Sequence, residues 1–315
     1  MRARSTYAII YKIVVQKRFN NVKARRLRMN SYRVPQLAKK YTDYDMIRQH
    51  TEIPSFPDSR ARLLQVFVGR TDEKVHQELY ALATSLVQLA MDTHDRIDTI
   101  SGERKEQEMR SRQLNVLAGD YLSSRFYQLL AQAGRIEMIG KLSGAVSGVN
   151  ARKMTLYERM KKLLVSADEY LRETVQLRMQ LFLSFTGMIQ HNEESLWNSL
   201  LTEFSSCETI VEELKRMNDA KQYLHSYAYW HIYEHGNDDE RNVLRQSELD
   251  ARAWNAMVLK HRVGEVLLDK LRECTHRIQL LLQDEEGRMG LHEIHAILEP
   301  YLAYLQPSHA AVRED

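Results

Sequence analysis

Between Asp58 and Glu299 the chain contains no proline, while Pro35, Pro54 and Pro57 crowd one flank and Pro300 and Pro307 the other. Proline is the strongest helix breaker: its ring fixes φ, removes a backbone donor and collides with the preceding turn. A proline-free interval of this length, with only 12 glycines in 315 residues, predicts an almost wholly helical body. The apolar spacing agrees. Leu79, Leu82, Leu86, Leu89 and Ala90 recur every three or four residues behind a Thr71-Asp72-Glu73 cap and acidic first turn. A second helix through Leu114, Leu117, Tyr121, Leu129 and Leu130 is expected to end near Gly134; Leu117, Tyr121 and Leu129 are expected in the core, with a partner surface on this helix as the alternative. Further helices fit residues 135–161, 167–190, 193–217, 220–234, 238–283 with breaks, and 291–305, with a turn at His235-Gly236-Asn237. No alternating strand pattern and no repeat stands out, so the expected class is all-α, with residues 29–315 forming a single helical domain.

At 43% hydrophobic and 28% charged, the chain can bury a sizeable core, which excludes a disordered or collagen-like chain. Cys207 and Cys274 match no CxxC spacing, which argues against a disulfide framework or a cysteine metal site and favours a reducing cytoplasm. The most apolar stretch, Leu177 to Ile189, is broken by Arg178 and Gln180 and falls short of the ~20 residues a membrane span needs. No transmembrane helix is expected.

The net charge of +3 is uneven. Nine of the 45 basic residues and none of the 42 acidic ones lie in Met1 to Arg28, so the body is acidic. Residues 1–28 therefore read as a basic leader outside the core. A signal peptide fits them poorly, because Lys12 splits the apolar run and no small-residue cleavage site follows. An arm for nucleic acid or an anionic membrane is a second reading, and an extension upstream of a start near Met29 is the third. With an acidic body, no nucleic-acid partner is expected.

Gly140, Gly144 and Gly148 recur at i, i+4 and i+8 beside Ser143, Ala145 and Ser147, which leaves one helix face nearly bare. Such a face admits close approach of another backbone, either within this chain or from a partner. Arg135, Lys141 and Arg152 argue against a membrane setting for it. His231-Ile232-Tyr233-Glu234-His235 spells HxxEH, an inverted zinc-protease pattern, although it sits in an aromatic run that also reads as helix packing.

The densest cluster of chemistry-bearing residues is Met91 to Asp98. Asp92, Asp95 and Asp98 fall at i, i+3 and i+6, on nearly one side of a helix. Carboxylates so placed can hold Mg²⁺, or simply form a solvated acidic helix end with Arg96 as counter-charge. The stretch LVQLAMDTHDRID (residues 86–98), followed by Leu117-Ala118-Gly119-Asp120-Tyr121-Leu122, resembles the first half of trans-polyprenyl diphosphate synthases, in which an apolar helix ends in DDxxD and an LAGDYL-like helix follows. His94-Asp95-Arg96-Ile97-Asp98 matches that motif with His for the first Asp. The longer run RQLNVLAGDYLSSRFYQLLA (residues 112–131) is more similar to the component I family of two-component bacterial heptaprenyl diphosphate synthases, whose members are non-catalytic subunits.

The resemblance implies an isoprenoid-synthase-like helical bundle, degenerate relative to the catalytic family. Catalytic members have an Arg-Arg-Gly-x-Pro clamp; Gly102-Glu103-Arg104-Lys105-Glu106 offers two cations without it. They also carry a second DDxxD, so that two carboxylate sets hold Mg²⁺ on the allylic diphosphate. Here Asp238-Asp239 and Asn218-Asp219 are the nearest candidates, and neither completes the motif. The implied function is an accessory subunit, inactive alone and without a metal or cofactor of its own. A catalytic prenyltransferase partner would bring Mg²⁺ and condense isopentenyl diphosphate with an allylic diphosphate towards a menaquinone side chain. His94, Asp95 and Asp98 would then touch a diphosphate at the subunit junction or be a relic, and the apolar product leaves peripheral membrane association open. The competing reading is an HD-type metal-dependent phosphohydrolase using His94 and Asp95, with His50 or His76 and Asp120 or Asp168 as further ligands.

Overall fold

The structure, a computed structural model, describes residues 32–45, 47, 51, 53–96, 106–245, 249–283 and 290–306. The basic leader, His50, Asp98 and most of the Gly102 to Glu106 segment lie outside the described residues. Among the described residues the chain is α-helix and short 3₁₀ turns, with no strand.

Helix α1 (Val34–Thr42) has Pro35 in its first turn, where the missing N–H costs nothing. Helix α2 (Asp58–Val68) follows Pro57. The Thr71 hydroxyl caps as expected, accepting from the Glu73 N–H at 3.1 Å, but the element it caps is a 3₁₀ turn, Asp72–His76, that leads into α3 (Gln77–Asp95). Every residue of α3 from Tyr80 to Met91 is buried. Tyr80, Ala83, Val87 and Met91 join the main apolar core; Ala81, Leu82, Leu86, Leu89 and Ala90 join a smaller core with Val34, Ala38 and Leu122. The helix therefore lies between two packed layers, and apolar residues on all sides are what such a position requires. Its hydroxyls bond back along the helix, Ser85 to the Ala81 carbonyl (2.7 Å) and Thr93 to the Leu89 carbonyl (2.6 Å).

Helices α4 (Glu106–Gln132) and α5 (Ile136–Lys161) form a hairpin. Gly134 turns the chain with φ of 69°, a left-handed conformation that suits glycine, and the Arg135 N–H donates back to the Leu130 carbonyl at 2.8 Å. Ala118, Leu122, Phe126 and Leu130, four residues apart, form the buried stripe of α4. That stripe corrects the expected core at Leu117, which is one position away and 61% exposed; Tyr121 and Leu129 are half-buried and pack against the smaller core.

Helix α6 (Ala167–Leu183) starts at Ser166, whose hydroxyl accepts from the Glu169 N–H, and stops seven residues before the expected end. There the chain tightens into 3₁₀ turns, with Phe185 fully buried and the Trp197 indole N–H donating to the Thr186 hydroxyl. Helix α7 (Glu194–Arg216) matches expectation. The helix expected over residues 220–234 is split: Arg216 donates to the Gln222 and Leu224 carbonyls, His225 takes φ of 57°, and α8 (Tyr227–His235) begins only after Ser226 caps it. Helices α9 (Asp238–Leu244), α10 (Ala251–Lys260), α11 (Val263–Gln283) and α12 (Leu291–Leu305) complete the bundle.

Two ionic arrangements hold distant elements together. The Arg60 guanidinium on α2, 2% exposed, donates to Glu208 on α7 (2.6 Å), to the Gln88 side chain on α3 (3.1 Å) and to the Arg178 carbonyl on α6 (2.6 Å), and lies over the Phe182 ring. At the α8–α9–α10 corner, Glu240 accepts from Lys260 (2.9 Å), His261 (3.2 Å) and the Asn237 N–H (2.9 Å). These bonds, led by that from Lys260, hold its carboxyl down at about 2.

Arg60→Met should lower the unfolding free energy in urea by about 3–5 kcal/mol, because Glu208 is left with no counter-charge in a buried setting. Glu240 stabilises the corner when ionised. Its contribution is complete above the ordinary glutamate value and fades as pH falls towards about 2. Melting curves of Glu240→Gln should therefore lie below wild type at pH 7 and approach it below pH 4.

Candidate functional site

The end of α3 separates its polar residues onto two sides. Asp92 and Asp95, one turn apart, line a cleft of about 820 Å³ that is walled by α2, α6 and α7 and by Tyr301 of α12. The i, i+3 spacing thus does bring two of the three aspartates together, while Asp98 lies outside the described residues. Asp92 accepts from the Gln88 amide at 2.8 Å; burial raises its carboxyl above the usual range, and Arg178 and Arg60 partly offset this. Asp95 is ion-paired with Lys153 of α5. Across the cleft Arg178 pairs with Glu212, and Arg60 with Glu208.

His94 points the other way. Its ring lies against Gly119 so closely that a Cβ there would stand 2.5 Å from Nε2, and Nε2 is 3.5 Å from an Asp120 carboxylate oxygen. The two stretches that resemble the synthases are therefore two sides of one contact: the Gly-Asp pair of α4 receives the residue that stands in the first Asp position of the motif. Ala118 is buried, and Tyr121 lies under Arg125 and stacks on Tyr44. Leu117 points outward.

The glycine stripe of α5 is open. A Cβ at Gly140 or Gly144 would meet nothing within 4 Å among the described residues, and one at Gly148 would meet only the Gln180 amide at 3.9 Å. Among the described residues no element packs on this stripe, and α5 buries a different one, Met138, Leu142, Ala145 and Val149.

Mg²⁺ takes oxygen ligands and commonly keeps several waters beside one or two carboxylates. The cleft does not fit it: Asp95 carries an ammonium, Asp92 accepts from an amide, and Glu208 and Glu212 each hold an arginine. Among the described residues no three His, Cys, Asp or Glu side chains converge on a metal position. Among the described residues the HD reading gains little support: Asp120 does stand near His94, but His94 and Asp95 point to different sides of α3, and His50 lies outside the described residues. His76 stands at the opposite end of α3, about 27 Å from His94 at 1.5 Å per residue, and Asp168 pairs with Lys270 at 2.8 Å. In HxxEH, the Glu234 carboxylate accepts from the Ala167 N–H at the start of α6, and the His235 Nδ1 faces the His231 carbonyl at 2.9 Å. Arg60, Lys153, Arg178, Glu208 and Glu212 were not singled out from sequence. Each is an ordinary charged residue there, and only the meeting of α2, α3, α5, α6 and α7 gives them a common place.

Gly119→Ala should displace the His94 ring and cost about 1 kcal/mol. In a double-mutant cycle the cost should vanish when His94 is also alanine; thermal melts of the four proteins measure it.

A family profile described as heptaprenyl diphosphate synthase (HEPPP synthase) subunit 1 matches residues 44–258. Over 91 residues the chain is 41% identical to heptaprenyl diphosphate synthase component 1 of Geobacillus stearothermophilus, a match that covers 29% of this chain and 39% of that relative. Its fold is similar to that of heptaprenyl diphosphate synthase from Staphylococcus aureus, with a TM-score of 0.62 and 12% identity over 87% of this chain and 96% of the other. Decaprenyl diphosphate synthase from Rhodobacter capsulatus is similar too, with a TM-score of 0.61 and 14% identity over 87% and 95%. At such identities the structural likeness speaks for the fold alone, an all-α isoprenyl diphosphate synthase bundle. The profile spans more than half of the sequence, and on that ground the chain belongs to the heptaprenyl diphosphate synthase subunit 1 family.

Proposed function

We propose that this chain is the accessory subunit of a heptaprenyl diphosphate synthase and is inactive without a catalytic partner. The partner supplies Mg²⁺ and both intact aspartate-rich motifs, and condenses isopentenyl diphosphate with an allylic diphosphate towards a menaquinone side chain. The names of the matched family and relative, subunit 1 and component 1, suit a two-component enzyme. The observation that carries the reading is the outer face of α4 and α5. Between Gln113 and Ala131 the exposed positions of α4 hold one charged residue, Asp120, and between Gly140 and Thr155 those of α5 hold one, Lys141. In a chain that is 28% charged, such depletion is what the centre of a protein interface looks like.

Val116, Leu117 and Tyr127 are exposed there beside the open glycines and Met154, and Tyr127 and Ser143 share a hydrogen bond of 3.1 Å that joins the two helices. Leu117 and Tyr127 supply side chains to insert, and Gly140 and Gly144 supply a bare backbone to receive them. The occupant we assign is the catalytic subunit, giving a heterodimer. Among the described residues no helix is long and apolar enough to cross a membrane, and Cys207 and Cys274 are both free and buried. Both observations support our placing the complex in the cytoplasm.

Mixing the purified chain with a catalytic prenyltransferase subunit from the same organism should produce incorporation of labelled isopentenyl diphosphate that neither protein gives alone. Leu117→Glu and Gly144→Trp lie on the open face, so they should leave the helical circular dichroism intact and abolish both co-purification and activity. A partner fully active by itself, unchanged by this chain, overturns the reading.

A further inference from the structure

The carboxylates of the cleft are answered by cations of the chain itself. Lys153 reaches from α5 across to Asp95 at the end of α3, and its side chain is 26% exposed against 51% for the aspartate. Arg178 of α6 holds Glu212, and its guanidinium also acts on Asp92. Arg60 fills the floor between Glu208 and Gln88. Each cation comes from a different helix, and each meets an acidic side chain in the one concavity that Asp92 and Asp95 line. Three ion pairs from separate elements, each with its acidic partner on the lining of the same cleft, are unlike a scatter of surface pairs.

We infer that Lys153 is a built-in counter-cation: it stands at Asp95 in place of a divalent metal, and Arg178 adds its charge to the same cleft from its pair with Glu212, so that the cleft is charge-balanced without one. The inference rests on the accessory reading and deepens it by stating what took the place of the metal. An ammonium on a carboxylate excludes a dication by occupying its ligand oxygens and by repulsion, which falls only as the inverse of distance. Two carboxylates one turn apart suffice for a hydrated Mg²⁺ or Mn²⁺, so removing the ammonium should uncover a site.

The test uses the full chain with Mn²⁺ alone as the probe, read by electron paramagnetic resonance and by calorimetry. Wild type should show no saturable binding that depends on Asp95. Lys153→Gln should gain Mn²⁺ affinity by at least about tenfold, and Lys153→Gln with Asp95→Asn should lose that gain. Arg178→Gln added to Lys153→Gln should tighten binding further wherever circular dichroism shows the variant folded. Lys153 is partly exposed, so the single variant carries the test alone. Wild-type Mn²⁺ binding abolished by Asp95→Asn overturns the inference, as does a folded Lys153→Gln with no gain. Both results concern this cleft only. The accessory reading fails on a different result, a partner that is fully active without this chain.

Discussion

One buried guanidinium sets the geometry on which the rest of the molecule depends. Arg60 has almost no access to water, and desolvating a charge is expensive unless every donor finds an acceptor. Its acceptors come from α3, α6 and α7 and its flat face is covered by Phe182, so four helices including its own must hold their positions for it to be satisfied. The apolar layers around α3 tolerate small shifts in side-chain packing. A directional fork holding a carboxylate, an amide and a carbonyl does not. The cleft that contains Asp92 and Asp95 inherits its shape from this arrangement.

The same cleft shows how this bundle disposes of the polar residues at one helix end. The polar residues at the end of α3 remain concentrated there, but His94 is drawn away onto Gly119 and Asp95 is drawn to Lys153. Meanwhile the surface of α4 and α5 has the opposite character, few charges and small or apolar side chains left in water. An inward concavity filled by its own ion pairs and an outward face with few charges are complementary properties. They suit a protein whose contribution is made at a boundary with another chain.

Most of the helices were legible in the sequence because proline, glycine and three-to-four spacing act locally. Ser166, Gly134 and the Asn237 cap sit where such signals place them. What was not legible depends on other elements. Leu117 and Leu122 are equally apolar, and only the direction from which α3 approaches α4 decides that Leu122 is inside. The shortened end of α6 follows from a hydrogen bond to Trp197, and the break before α8 from Arg216; both partners belong to other helices. The aspartate spacing indicated a shared helix side correctly for Asp92 and Asp95. It carried no information about Lys153, 58 residues away in sequence, which decides what those carboxylates can do.

The burial of α3 on all sides has a further consequence for motion. Segments open locally with free energies that rise with the amount of packing they must break, and α3 can be exposed only by parting both apolar layers. Its amides therefore open last, together with the whole molecule. The cleft stands at the end of this doubly packed helix, whereas the face of α4 and α5 belongs to an outer hairpin with one side in water. Adjustment to a neighbour is thus available at the surface without disturbing the carboxylates, so the two regions can change independently of one another.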